Sequence, residues 1–249
     1  KVDGFYELSD AAVWTSPDGL TWSRVPHDEA VFARSGDTGD KEEVMLSVTA
    51  GGPGLVAVGS NSAGQCGWDA AVWTSADGIT WVRVHDEEIF GGRGFQWMQS
   101  VVAAGPGLVA VGGDQPGDDV PAGPASAAAV WASVDGTTWM RVAHDEEIFG
   151  GVGGQAMSSV TAVGGGLVAV GNDGGGYGTD VDAAAWTSDD GLRWSRVPHD
   201  ETVFGDARMH GVIAAGSAVI AVGGVASETP DSHTDAALVW TAVADENSG

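Results

Sequence analysis

The chain is expected to be all-β, a β-propeller of four-stranded antiparallel blades. Three observations predict this: two alternating sequence elements that recur, a glycine turn inside each, and no sustained helical period. The first element is AAVWTSPDGLTWSRV at 11–25. It returns as AAVWTSADGITWVRV at 70–84, AAVWASVDGTTWMRV at 128–142 and AAAWTSDDGLRWSRV at 183–197. A partial fifth copy, AALVWTA, lies at 236–242. The leading tryptophans Trp14, Trp73, Trp131, Trp186 and Trp240 stand 59, 58, 55 and 54 residues apart. The second element, SVTAGGPGLVAVG at 47–59, recurs at 100–112, 159–171 and 211–223.

Each element justifies a hairpin. In the second, Val-rich runs flank a glycine turn, giving strands A and B. In the first, Asp-Gly turns strand C into strand D in all four full copies. One such sheet cannot bury both faces alone, so neighbouring sheets must pack face to face. A β-sandwich is the runner-up, but it does not need near-identical repeats. The expected domain is one, 1–249, with repeats near 11–69, 70–127, 128–182, 183–235 and a partial 236–249. Four blades are expected, with five as the fallback; four use sixteen strands, and the sequence supplies a seventeenth, of C type. It covers an edge, competes for one position, pairs with another molecule, or belongs to a fifth, incomplete blade.

The C–D turns read SPDGLTW, SADGITW, SVDGTTW and SDDGLRW. They resemble the Asp box of sialidase-like (BNR-repeat) propellers, through Ser16, Asp18, Gly19, Thr21 and Trp22 and their counterparts. Each is one residue shorter between Asp and Gly than the family pattern, and Arg193 replaces the Thr in the last copy. The resemblance covers nearly the whole chain and implies that Asp18, Asp77, Asp135 and Asp190 are structural. Turn chemistry agrees, since Asp accepts backbone N–H bonds and Gly supplies positive φ.

The resemblance also implies a search for sialidase chemistry, and the inventory is poor. Arg24, Arg83, Arg141 and Arg196 repeat in strand D, which points to packing. Arg193 lies in a turn, and only Arg34, Arg93 and Arg208 are loop candidates. No Arg-Ile-Pro segment is present. With 35 acidic and 10 basic residues the net charge is −25. That disfavours nucleic acid, anionic lipid and a carboxylated sugar alike. No P-loop, nucleophile elbow or zinc-ligand spacing occurs. A carbohydrate-active hydrolase using two loop carboxylates remains the alternative.

The single Cys66 cannot form an intrachain disulfide. No apolar run approaches ~18 residues, so no helical membrane span is expected. The start at Lys1 fits a processed product, and an extracellular or cell-surface location is expected.

Loops on the face opposite the Asp boxes hold 25 of the 35 acidic residues and four basic ones, a formal −21. There His27-Asp28-Glu29, His85-Asp86-Glu87, His144-Asp145-Glu146 and His199-Asp200-Glu201 each precede a phenylalanine. One reading is a ring of metal-binding or proton-responsive groups. The other is a repeated turn with Phe packed between blades. Calcium is the candidate cofactor, at Asp173, Asp180 and Asp182 or at Asp114, Asp118 and Asp119.

Residues that break the repeat point to a ligand. Trp68, Phe95 and Trp97 lie in predicted loops, and neither tryptophan has a counterpart in other repeats. Such rings stack on a sugar or grip a cation. Arg93, Tyr177 and His210 join them as lesser candidates. The expected role is therefore a non-enzymatic binding or adhesion module for a glycan, cation or protein partner. The alternatives are the hydrolase and a structural protein assembling through its extra strand.

Overall fold

The computed structural model describes residues 9–33, 42–62, 67–92, 94–115, 126–151, 153–174, 181–225 and 237–243. Among the described residues the chain is all-β apart from four one-turn helices. Its strands form successive antiparallel meanders in chain order.

An N-terminal hairpin joins β1 (Trp14–Thr15) to β2 (Ser23–Arg24), followed by α1 (Glu29–Phe32). The first full sheet is β3 (Glu43–Gly51), β4 (Gly54–Ser62), β5 (Gly67–Ser75) and β6 (Trp81–Val84), followed by α2 (Glu87–Phe90). The second is β7 (Gly94–Val102), β8 (Leu108–Gln115), β9 (Ala127–Ser133) and β10 (Trp139–Arg141), then α3 (Glu146–Phe149). The third is β11 (Gln155–Val163), β12 (Gly166–Gly174), β13 (Val181–Ser188) and β14 (Trp194–Arg196), then α4 (Glu201–Phe204). The C-terminal sheet has three strands: β15 (Ala207–Ala215), β16 (Ala218–Val225) and β17 (Ala237–Val243).

The core lies between sheets, one apolar cluster per junction. Strand alternation makes this possible, because neighbouring residues point to opposite faces. Val56 and Val58 of β4 pack towards the second sheet, with Trp131 and Trp139. Ala57, between them, packs the other way, with Trp73, Trp81 and Phe32. The same logic builds the junctions between the second and third sheets and between the third and last.

Two hydrogen-bond devices repeat across the junctions. Four of the five C-strand tryptophans donate their indole N–H to a carbonyl of the preceding helix. Trp73 reaches Val31 at 2.9 Å, Trp131 Ile89 at 3.1 Å, Trp186 Ile148 at 2.7 Å and Trp240 Val203 at 2.7 Å. Each A strand also carries a bulge. The bulge serines Ser47, Ser100 and Ser159 accept the N–H of Val101, Val160 and Val212 in the next sheet.

The seventeenth strand has a defined place. β17 lies third in the last sheet, beside β16. β17 and not β1 occupies that edge, so among the described residues the two termini do not share one sheet. Among the described residues the result is five sheet units, with two strands in the first and three in the last. One further link is unlike the rest. A short parallel bridge, Gly67 to Gly94 and Trp68 to Phe95, ties β5 to β7. Gly67 (φ +142) and Gly94 (φ +104) meet so closely that a Cβ on Gly67 would overlap the Gly94 carbonyl.

Candidate functional site

Each C–D turn is closed by its own side chains. At the second turn Asp77 Oδ1 accepts the N–H of Ile79 at 2.8 Å and of Thr80 at 2.7 Å. Ser75 Oγ accepts the Gly78 N–H at 2.9 Å, and the Trp81 indole donates to the Gly78 carbonyl at 3.1 Å. The other three turns repeat this pattern. The backbone donors hold Asp77 and Asp135 at a pKa of about 2 and lower Asp18 and Asp190 as well. Each of these carboxylates accepts two backbone N–H groups of its own turn.

The His-Asp-Glu repeats are helix starts. Asp28, Asp86, Asp145 and Asp200 each cap a one-turn helix by accepting a backbone N–H. Phe32, Phe90 and Phe149 are buried, while the rings of His27, His144 and His199 lie tilted against Phe32, Phe149 and Phe204 at 6.0–6.4 Å. The repeated-turn reading accounts for these contacts. In one copy Asp182, His199 and Glu201 offer ligand atoms within 4.8 Å of one another. His199 Nε2 is 3.1 Å from Glu201 and 3.8 Å from Asp182, whose other oxygen accepts the Asp206 N–H at 3.0 Å.

The calcium expectation changes at two positions. Asp114 is paired with Arg141 and accepts from Gln96 at 2.8 Å. Asp173 is paired with Arg196 and accepts from Gln155. In the first sheet the carboxylate moves to the partner strand, where Glu43 meets Arg83 at 3.4 Å. These arginines in turn lie over Trp131, Trp186 and Trp73 at 5.5, 5.8 and 4.4 Å. Asp114 and Asp173 thus fix the strand-D arginines instead of lining an oxygen-rich loop. Asp118, Asp119 and Asp180 lie outside the described residues.

The aromatic residues do converge. Trp68, Phe95 and Trp97 line one cleft of about 460 Å3 between the first and second sheets. Trp68 and Phe95 meet edge to face at 5.8 Å. Trp68 is 44% exposed, so its ring is available to a ligand. Leu46, Ser60, Gln99 and Gln115 complete the lining. The three aromatics stand on strands β5 and β7, not on loops as the sequence suggested. The loops were overestimated because the alternation continues past the repeated valines into aromatic and polar residues.

Two local features shape this cleft, a bridge found at this junction alone among the described residues and a glycine facing a tryptophan. The first is the Gly67–Gly94 bridge, which sets Trp68 beside Phe95. The second is Gly113, opposite Trp97 in the ladder. A Cβ there would fall inside the Trp97 indole. At the same register the other sheets carry Val44 with Ser60, Ala156 with Asn172 and Arg208 with Gly224. Sequence reasoning flagged Trp97 but not Gly113. The signal was present, as a second glycine after the repeated VAVG.

His210 is exposed on β15 of the C-terminal sheet and does not line the cleft. Arg93 and Tyr177 lie outside the described residues. A second cleft, of about 280 Å3, opens beside the first sheet and collects charged groups, including Glu43, Asp69, Arg83 and His85.

No protein-family model matches the chain, and no curated protein matches it in sequence. A solved structure with a similar fold is a Bombyx mori GH32 β-fructofuranosidase, a mutant in complex with sucrose. It is 11% identical, with a TM-score of 0.46, over 87% of this chain and 49% of that one. The chain therefore spans about half the length of that protein.

Proposed function

We propose that the protein is a non-enzymatic binding module that takes up a saccharide in the cleft of Trp68, Phe95 and Trp97. The carrying observation is the pairing of Trp97 with Gly113. No other sheet has a tryptophan at this register, and the glycine opposite leaves the room its indole occupies along the cleft wall. The volume lies in the usual range for ligand sites, and aromatic faces with a few polar groups are the chemistry of such sites. No carboxylate lines this cleft among the described residues, which favours binding over the hydrolase alternative there. The scaffold is read as an Asp-box β-propeller, supported by the repeated junction cores and the four identical C–D turns.

Isothermal titration with a panel of oligosaccharides tests this. Binding is expected for the unaltered chain, without turnover, and a loss of tenfold or more for Trp68→Ala with Trp97→Ala. Unchanged affinity in that folded double variant overturns the reading.

A further inference from the structure

We infer that the ligand of the aromatic cleft is an uncharged saccharide, read by the side-chain amides of Gln99 and Gln115. The inference rests on the binding reading above and adds the ligand class.

The argument is one of sorting. The chain carries −25, yet the described lining of the cleft holds no ionisable side chain. Strand alternation does the separating. Trp68 faces the cleft, and its neighbour Asp69 lines the charged cleft of the first sheet. Gln115 lines the aromatic cleft, while its neighbour Asp114 is committed to Arg141 and Gln96. Phe95 and Trp97 line it, while the alternate residues Gln96 and Met98 are buried on the other side of β7. Gln99 continues the alternation of Phe95 and Trp97 and also reaches the lining.

Each ligand class meets a different outcome in such a cleft. A cationic ligand finds π faces but no carboxylate to complete its pairing. An anionic sugar finds no cation and must enter against the field of the whole chain. A neutral sugar is indifferent to that field. Its C–H face stacks on an indole, and its hydroxyls both donate and accept. An amide matches this, since each Gln offers one acceptor and two donor hydrogens. Ser60 adds a hydroxyl at the rim.

Three consequences can be measured together. Neutral gluco-, galacto- and manno-oligosaccharides should bind, while oligogalacturonate and glucosamine oligomers of equal length should bind at least tenfold more weakly. The affinity should change less than twofold between 0.05 and 1 M NaCl, because no charge is paired. It should also stay flat from pH 5 to 8. Gln99→Ala and Gln115→Ala should each weaken the neutral sugar several-fold and leave the melting temperature within a degree or two.

A preference for the charged oligomers, lost in Trp97→Ala, would overturn the neutral-ligand inference and leave the cleft reading standing. Steep salt dependence of the neutral sugar's binding would also overturn it. Binding of the neutral sugar that survives the Trp68→Ala, Trp97→Ala double variant would remove the cleft reading, and the inference with it.

Discussion

The same turn occurs in two settings in this molecule, at the N-terminal hairpin and inside the full sheets. Its local geometry does not change between them. Trp22 donates to the Gly19 carbonyl at 3.1 Å, as Trp81 donates to Gly78 at 3.1 Å. Asp18 accepts the same two backbone N–H groups as Asp77 does. Burial changes completely. Trp22 is 60% exposed, against 5% for Trp139. Trp14 is 54% exposed, while Trp73, Trp131 and Trp186 are fully enclosed. Nearby residues make the turn, and other sheets bury its tryptophans.

The reason is visible in the partners. Trp131 lies opposite Ala110 of the neighbouring B strand and is hooked to the Ile89 carbonyl of the preceding helix. Trp14 pairs only with Arg24 in a two-stranded sheet. Gly52, in the first sheet's A–B turn, abuts the Asp135 carbonyl of the next Asp box, and Gly105 likewise abuts Asp190. Gly19 has no such neighbour within 4 Å among the described residues.

The sharpest way to break this comparison is to delete equivalent tryptophans. Trp131→Ala should cost about 3–5 kcal/mol of stability, from lost transfer energy and the cavity left behind. Trp14→Ala should cost well under ~1 kcal/mol, as expected of an exposed side chain. Urea melts of both variants provide the check. Trp131→Phe separates the two contributions, because it keeps much of the volume and removes only the bond to Ile89, worth about 1 kcal/mol. Equal losses at positions 14 and 131 would mean that the turn is stabilised locally after all.

Most of the sheet architecture was legible, since near-identical strings such as AAVWTS and LVAVG can only repeat one structure. The Asp boxes were legible for the same reason, because turn chemistry is local. The junction devices were not. Nothing near Trp131 in sequence indicates that its partner is Ile89, although a β-branched residue precedes each helix phenylalanine at Val31, Ile89, Ile148 and Val203. The aromatic trio stands out in the sequence because its tryptophans break the repeat. Its seat at Gly113 was missed because a glycine among 40 carries little weight by itself. The order of the last sheet was also missed. Two strands of the same sequence type, at Trp14 and Trp240, fit one edge equally well on paper.

The second test moves to the junction between the first and second sheets. Gly113→Ala places a methyl group where the Trp97 indole lies. Overpacking of this kind costs typically 1–3 kcal/mol. Because Trp97 is partly exposed, it can swing aside, so the expected stability loss is at the low end. Saccharide binding should fall tenfold or more all the same. Gly224→Ala, at the same register of the C-terminal sheet but facing Arg208, should leave binding unchanged. Calorimetry on both variants decides whether the cleft depends on this glycine or on small residues generally.

The smallest effect, and the most telling, is the response of the turns to acid. Asp77 and Asp135 are held at a pKa of about 2, below the ordinary 3.8, chiefly by backbone N–H groups. A carboxylate whose folded pKa is lowered stabilises the fold above its unfolded pKa. That contribution fades as pH falls from about 4 towards 2. Asp18 is lowered in the same direction by the same kind of bonds, from Thr21 and Leu20. Asp18→Asn and Asp135→Asn should therefore flatten the acid limb of the stability profile to similar extents. The tryptophans of the same two turns should differ greatly. Stability measured from pH 5 to 2 in both variants provides the comparison. A flattening confined to Asp135→Asn would show that the neighbouring Gly52 turn strengthens its bonds, and that the Asp box is not a purely local device.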